Sequence, residues 1–326
     1  MTATAQSTHT PITGGGAKRP PKLKGGLPLI GHTLSFVKDT IGLLQRTYYE
    51  CGPVGRFKLF GKDMILFTGP EAHEALFRKP DEVLSPNAAY KMMVPVFGEG
   101  VAYGAEPARM AEQMHMLYPA LRNARMRTYT EIVAKETLDI IQDWGDEGEI
   151  EASAFFGMLT NFTSSSCLLG TEFRNEMSAE FSKVYYDLER GIVAWGYIHP
   201  YLPIPAFRRR DRARARLGEM VSEIVEKRRR SGYRGEDFLQ TLMDSEYSDG
   251  TKLSDHEITG MLVAAMFAGH HTSSVTTAWT LIELLRHPRF LAEVRDEIRA
   301  RYANGEDYDF LSLRDLVKTE GAVKEA

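Results

Sequence analysis

Only two cysteines, Cys51 and Cys167, occur in 326 residues. So few exclude a disulfide framework and point to a reducing, cytoplasmic setting. Excess charge is also missing. Forty basic and 44 acidic side chains leave a net charge of −4, too little to draw the chain to nucleic acid or to an anionic membrane. No run approaches the roughly 18 apolar residues of a membrane-spanning helix. The best stretch, Met261–Gly269, meets His270 at once, so no transmembrane anchor is expected. No apolar segment at the amino terminus suggests a secretory signal. No internal repeat is visible. Residues 1–25, rich in Thr, Gly, Pro and Lys, read as a flexible leader ahead of one domain over 26–326.

A hydrophobic content of 43% supports a sizeable core in one large domain or two smaller ones. A helix is expected over 38–50, stopped by Gly52-Pro53. Apolar runs at 54–60 and 64–68, joined through Gly61-Lys-Asp63, read as a hairpin. Gly69-Pro70 opens a short helix to Arg78. Residues 86–105, with several Gly and Pro, read as a long ordered loop, a feature that is usually functional in a compact domain. Beyond Pro107 the pattern is helical, with helices predicted at 107–124, 127–144, 152–169, 177–191, 207–230, 235–243, 255–286, 288–302 and 311–318. The chain is therefore mainly α with a small β-sheet. The basic runs Arg208–Arg216 and Lys227–Arg230 read as solvated helix faces.

The most informative segment is Met266-Phe-Ala-Gly-His-His-Thr-Ser-Ser274. It sets a glycine, two histidines and a hydroxyl run inside the longest helical pattern. Glycine is costly mid-helix, and Ser and Thr compete there for backbone hydrogen bonds. Local opening of the helix around a reaction centre is therefore expected. Ala264, Ala268 and Thr272, four residues apart, share one face; two small residues there let a flat cofactor lie close, with a hydroxyl above it. On composition alone close helix–helix packing is the stronger account of those two alanines; the neighbouring residues reverse that preference. His270 and His271 are neighbours, so they diverge by roughly 100° on a helix. That geometry, with no His-Glu-x-x-His motif, argues against a zinc hydrolase. No metal ligand is expected in the chain. His270 reads as a core histidine bonded to a backbone carbonyl.

Ala268-Gly-His-His-Thr272 resembles the oxygen-activating motif in the distal helix of the cytochrome P450 family, which reads Ala/Gly-Gly-x-acid-Thr. Its His-His-Thr form resembles the sterol 14α-demethylase branch. Tyr90-Lys-Met-Met-Val-Pro-Val-Phe97-Gly-Glu-Gly-Val-Ala-Tyr103 resembles that branch's substrate-recognition loop. Thr163-Ser-Ser-Ser-Cys167-Leu-Leu-Gly170 and Asp255-His-Glu-Ile-Thr-Gly260 are similar to two of its helices. The resemblance implies a P450 fold and a monooxygenase binding haem b. It implies a sterol or other hydrophobic small-molecule substrate, with electrons from a ferredoxin or flavoprotein reductase. His271 and Thr272 would deliver protons during oxygen activation. Tyr90 and His115 would meet the haem propionates, and Ala268 the haem face. Met92, Met93, Phe97, Val101 and Tyr103 would line the substrate pocket. The segment Trp195–Pro205, with Glu189 and Arg190, resembles the lid over the substrate channel.

Val323-Lys-Glu325-Ala326 resembles the opening of the family's Glu-x-x-Arg helix, which precedes the loop carrying the iron-ligating cysteine. The chain is therefore expected to be a P450 fold incomplete at its carboxyl terminus, with the iron ligand outside it. Cys51 and Cys167 lack that loop's setting and read as structural thiols. Three positions depart from the branch: Gly104 replaces an Asp, Ala111 stands where a propionate-pairing Lys is expected, and Val275 replaces a Gly. Arg109, His115 and Arg122 are the candidates to compensate for Ala111. These departures keep open a P450 that hydroxylates another steroid or a terpenoid. A truncated, non-catalytic lipid-binding protein is the reading from another class.

Overall fold

The computed structural model describes residues 19–78, 89–305 and 308–326. Most of the expected leader, and the first residues of the expected long loop, lie outside that set. The chain divides into two compact units, Met1–Ser85 and Pro86–Ala326.

In the first unit, α1 (Thr33–Lys38) and α2 (Thr40–Cys51) precede strands β1 (Val54–Leu59) and β2 (Lys62–Phe67), followed by α3 (Pro70–Arg78). The helix expected from residue 38 begins later because Asp39 is its cap. The Asp39 carboxylate accepts a hydrogen bond from the Gly42 amide at 2.9 Å, which satisfies a donor that the first turn leaves free. The hairpin turn is tighter than predicted. Leu59 pairs with Lys62, and Phe60 and Gly61 take φ values of 48° and 79°. A two-residue turn with both φ positive matches the twist of the flanking strands. Phe57 and Leu59 alternate inward along β1 and meet Leu23 and Leu43 in a small core.

The second unit is helical among its described residues. It contains α4 (Val94–Phe97), α5 (Pro107–Leu117), α6 (Asn123–Ile141), α7 (Ala152–Leu168), α8 (Thr171–Glu189), α9 (Pro205–Ser231), α10 (Phe238–Asp244), α11 (Asp255–Arg286), α12 (Pro288–Arg301), α13 (Phe310–Arg314) and α14 (Val317–Glu325). α11 packs chiefly along α7 and also against α9, while α8 pairs with α9 and α7. The helix predicted over 107–124 stops at Leu117. Pro119 lacks an amide donor, and Tyr118–Leu121 tightens into a 3₁₀ turn. The segment at 311–318 forms two short helices, because the amides of Asp315 and Leu316 turn back to the carbonyls of Ser312 and Leu313.

α11 departs from the expectation at its middle. It starts with a capping box between Ser254 and Glu257 and then runs unbroken for 32 residues, about 48 Å. The expected opening at its middle is not there. Its hydroxyls donate back to carbonyls of the preceding turn, Thr272 to Ala268 at 2.5 Å and Ser274 to His271 at 3.2 Å. They are satisfied without parting the helix. The basic runs are also not wholly solvated faces. Arg210 and Arg228 are each 1% exposed. Arg210 donates to the Pro200 carbonyl at 2.9 Å and pairs with Asp211 at 2.7 Å, which is how a buried guanidinium is accommodated.

Arg228 makes a bidentate pair with Asp237, at 2.8 and 2.6 Å. The same carboxylate caps α10 by accepting from the Gln240 amide at 2.8 Å. Gly170, at φ +96°, leaves the room: a Cβ there would fall 2.5 Å from Asp237 and 2.7 Å from Arg228. One buried pair therefore ties the α7–α8 link, the end of α9 and the start of α10. Removing one partner strands a buried charge, at a cost of about 3–5 kcal/mol. Asp237→Ala is expected to lower the urea midpoint by that equivalent. A loss under about 1 kcal/mol, the range of exposed pairs, would show that the pair does not hold this corner.

Candidate active site

The loop at 98–104 is fixed to α11 by side chains that the motif did not include. Gln113 on α5 accepts from the Ala102 amide at 2.7 Å and donates to the Gly100 carbonyl at 2.9 Å. It also donates to the Tyr247 hydroxyl at 3.0 Å, and Tyr247 donates to Glu257 of the α11 capping box at 2.8 Å. From the other side, Arg214 of α9 donates to the Phe97 carbonyl at 3.0 Å. Burial pulls that guanidinium down to about 10. Gly260 lets the loop approach: a Cβ there would sit 2.2 Å from the Phe97 carbonyl oxygen and 2.8 Å from Val101. Ala102 takes φ +47°, a left-handed conformation unusual for a residue with a Cβ, held by the bond from its amide to Gln113.

With the loop held, its aromatic residues form a series that leads across α11. Tyr90 stacks on Tyr103 at 4.2 Å between ring centroids, Tyr103 meets Phe97 at 6.4 Å, and Phe97 meets Phe267 at 5.9 Å. Phe267 contacts Tyr185 of α8 at 5.5 Å, and Tyr185 contacts His270 at 5.8 Å. Phe267 also lies 6.1 Å from His271. Met93 packs on the same core. Met92 is approached by Gly196 of the lid-like segment, where a Cβ would stand 3.1 Å away. Val101 is fully buried against Gly260 and so packs as core. A cleft of about 530 Å³ lies beside this loop, lined by residues that include Val94, Pro95, Gly98, Tyr201, Arg214 and Thr259. The five predicted pocket residues are not among its lining.

Along the middle of α11, Ala268, His271, Thr272 and Val275 are exposed, while His270 and Ser274 are buried. Behind them stands Glu189, the last residue of α8. His271 Nε2 is 3.0 Å and His270 Nε2 is 3.9 Å from Glu189 Oε1. Burial raises the Glu189 carboxyl to about 7, against the pull of the nearby Tyr185 hydroxyl. Burial, then His271, pushes His270 down to about 4, so His270 is neutral at physiological pH. His270 bonds through Nδ1 to the Thr160 hydroxyl at 3.0 Å, where a backbone carbonyl is the expected partner. Glu189 was legible only as part of a lid resemblance. Its place against the two histidines depends on α8 and α11, separated by 81 positions between Glu189 and His270.

Other predicted residues stand apart from this cluster. His115 keeps its contacts local, with Nδ1 donating to the Ala111 carbonyl at 2.8 Å and its ring against Tyr118. Arg109 turns to Asp249 at 3.6 Å and Glu257 at 3.8 Å, and so is committed away from Ala111. Gly104 has a packing reason of its own: a Cβ there would lie 2.9 Å from the Gly98 carbonyl oxygen. Cys167 is buried in α7, its thiol pushed up to about 12 by burial and by Glu136. Cys51 packs beside the small core of the first unit.

The cytochrome P450 family model matches residues 20–326. A sterol 14α-demethylase of Mycolicibacterium vanbaalenii is 43% identical over 312 residues, covering 94% of this chain and 69% of that protein. The sterol 14α-demethylase of Mycobacterium tuberculosis is 42% identical over 309 residues, covering 94% and 68%. The sterol 14-demethylase of Arabidopsis thaliana is 36% identical, covering 91% and 62%. Among solved structures, the retinoic-acid-bound cyanobacterial CYP120A1 superposes with a TM-score of 0.78 at 22% identity, over 94% of this chain and 68% of that one. The long capped helix, the aromatic loop and these matches define a haem monooxygenase fold. The chain belongs to the cytochrome P450 family.

The family implies haem, and the exposed strip on α11 fits one face of it. Ala268 and Thr272 leave that strip low, with Ala264 partly buried one turn before.

The pH response of Glu189 follows from its raised carboxyl. The folded state holds this proton more tightly than the unfolded chain does, so its contribution to stability is complete below about 4.5 and is lost as pH rises through about 7. In metal-free buffer, Glu189→Gln is expected to gain thermal midpoint relative to the parent protein between about pH 5 and pH 8.5. A constant difference across that range would mean that Glu189 is not held protonated by burial.

Proposed function

We propose that this chain forms the oxygen-side wall and substrate loop of a P450 monooxygenase acting on a rigid, apolar substrate of the sterol class, in the manner of the 14α-demethylases it resembles. One observation carries the reading: an exposed His271–Thr272 pair on an unbroken helix, with a buried carboxyl 3.0 Å behind the histidine. Haem, when bound, supplies the oxygen and electron chemistry. Ala268 and Thr272, both exposed, would hold its face, the half-exposed Tyr90 phenol would bond a propionate, and His115 is the further candidate for one. Electrons come from a ferredoxin or flavoprotein partner.

The residues of this chain do the proton work. Glu189 titrates near neutrality, where a general acid passes protons most effectively. A proton held at Glu189 can pass to His271 Nε2. Thr272 now donates its hydroxyl hydrogen to the Ala268 carbonyl; rotating about χ1 releases that hydrogen toward the open strip. The aromatic series from Tyr90 to Phe267, with Met92 and Met93, supplies apolar contact for a large ring system and excludes water. None of the described helices is long and apolar enough to cross a membrane. The free thiols suit a cytoplasmic setting.

A second substrate class has its own support. Val275 is 51% exposed on the same strip and adds bulk beyond His271, while Gly104 is closed to the branch's Asp by its packing. Both favour a different steroid or a terpenoid. Binding spectra of the haem-loaded enzyme against a panel of 14α-methylated sterols, other steroids and terpenoids separate the two. Saturable spectral shifts with the 14α-methylated sterols alone support the demethylase reading, and shifts confined to the others overturn it.

Thr272→Ala removes the hydroxyl and keeps the helix. In the haem-loaded enzyme it is expected to keep consuming oxygen while forming at least about a hundredfold less product per oxygen, the lower end of the 10²–10⁴-fold range for positioned acid–base groups. Unchanged coupling and rate would remove Thr272 from proton delivery.

A further inference from the structure

The geometry points to a divalent transition-metal site of the zinc type, built from Glu189, His270 and His271. One ligand atom from each side chain lies within 4.8 Å of the others. Ligands about 2.0–2.1 Å from a tetrahedral zinc stand roughly 3.3 Å apart. The two edges from Glu189 Oε1, 3.0 Å to His271 Nε2 and 3.9 Å to His270 Nε2, bracket that value. The divergence of neighbouring histidines on a helix is overcome because both rings approach one carboxylate on a second element, α8. Their centroids stand 5.2 Å apart.

The hydrogen bonds prepare His270 as a ligand. The Thr160 hydroxyl donates to the Phe156 carbonyl at 2.7 Å. Its oxygen must then accept from His270 Nδ1 at 3.0 Å. The Nδ1 proton is thereby placed, and the Nε2 lone pair is turned toward Glu189. A neutral imidazole whose other nitrogen is held by an outer hydrogen bond is the usual arrangement around a bound metal. Glu189 Oε1 is buried and accepts no hydrogen bond of good geometry. An ionised carboxylate oxygen and an imidazole lone pair repel each other, and a cation bonds to both.

His271 is the mobile third ligand. Its side chain is 55% exposed, so it can close on an ion arriving from solvent and leave a fourth position for water. Two imidazoles and one carboxylate select first-row ions such as Zn²⁺ over Mg²⁺ or Ca²⁺, which prefer all-oxygen sites. The metal site itself goes beyond the monooxygenase reading. Its consequence rests on that reading: zinc would claim the His271 lone pair and so withhold the proton relay.

The test is zinc binding to the purified chain, by competition with a chromophoric chelator and by equilibrium dialysis. One Zn²⁺ per chain is expected, with Mg²⁺ unable to displace it. His271→Ala, at an exposed position, should weaken binding at least tenfold. Glu189→Gln and His270→Ala should do the same with far-ultraviolet circular dichroism unchanged. Thr160→Val, which removes the hydroxyl that orients His270 and leaves all three ligands in place, should weaken it by about 10–100-fold. Absence of stoichiometric zinc, or binding that His271→Ala leaves intact, overturns the site. Zinc that binds with the expected variant pattern, yet leaves turnover of the haem-loaded enzyme unchanged, upholds the site and counts against the proton relay.

Discussion

The site depends on α11 keeping its hydrogen bonds while carrying side chains that usually break a helix. Each threat is met locally. Ser254 and Glu257 close the amino end, and Thr272, Ser274 and Thr277 give their hydroxyl hydrogens to carbonyls three or four residues back. A backbone polar group left open inside a protein costs about as much as a lost hydrogen bond, so an opened helix would need other partners at these positions. α11 therefore acts as a rigid rail. Gly260 brings the loop onto it, His270 and His271 project from its middle, and α7 supports its far side.

Polar groups that look expendable in sequence join the separate parts of the second unit. Gln113, Tyr247 and Glu257 link the loop backbone to the cap of α11, and Arg228 with Asp237 fixes the corner between α9 and α10. A partly satisfied buried network is costly, so such chains specify one arrangement when every member is paired. The pairing explains why arginines that look like surface charge are buried at Arg210 and Arg228. Each has a carboxylate or carbonyl in place, and neutralising a guanidinium is not an option at these pH values.

The cluster at Glu189 joins the two chemical readings. A carboxyl whose proton is held to about 7 beside an imidazole is suited to relaying protons, and the same three side chains have the donor types and spacing for a transition metal. Which use prevails depends on whether a proton or an ion occupies the space between them.

Much of the architecture was legible along the chain. The sequence pattern marked α7, α9, α11 and α12 within a few residues, most plainly α9, which buries one face from Phe207 to Arg228. The aromatic loop and the Ala268–Thr272 motif point to the family by themselves. Short-range breaks were less legible. Asp39 as a cap, Phe60 at positive φ and Pro119 as a helix stop are single-residue decisions, made by local hydrogen bonds that periodicity averages away. The continuity of α11 was misread, because propensity counts a hydroxyl as a competitor without knowing which carbonyl receives it. The sequence determined by itself the helical class, the family and the identity of the exposed His–Thr pair. Only the tertiary structure decided that Glu189 faces both histidines, that Gln113 holds the loop and that Val101 is core. Those contacts join residues far apart in the chain, and packing brings them together, which no local pattern along the sequence records.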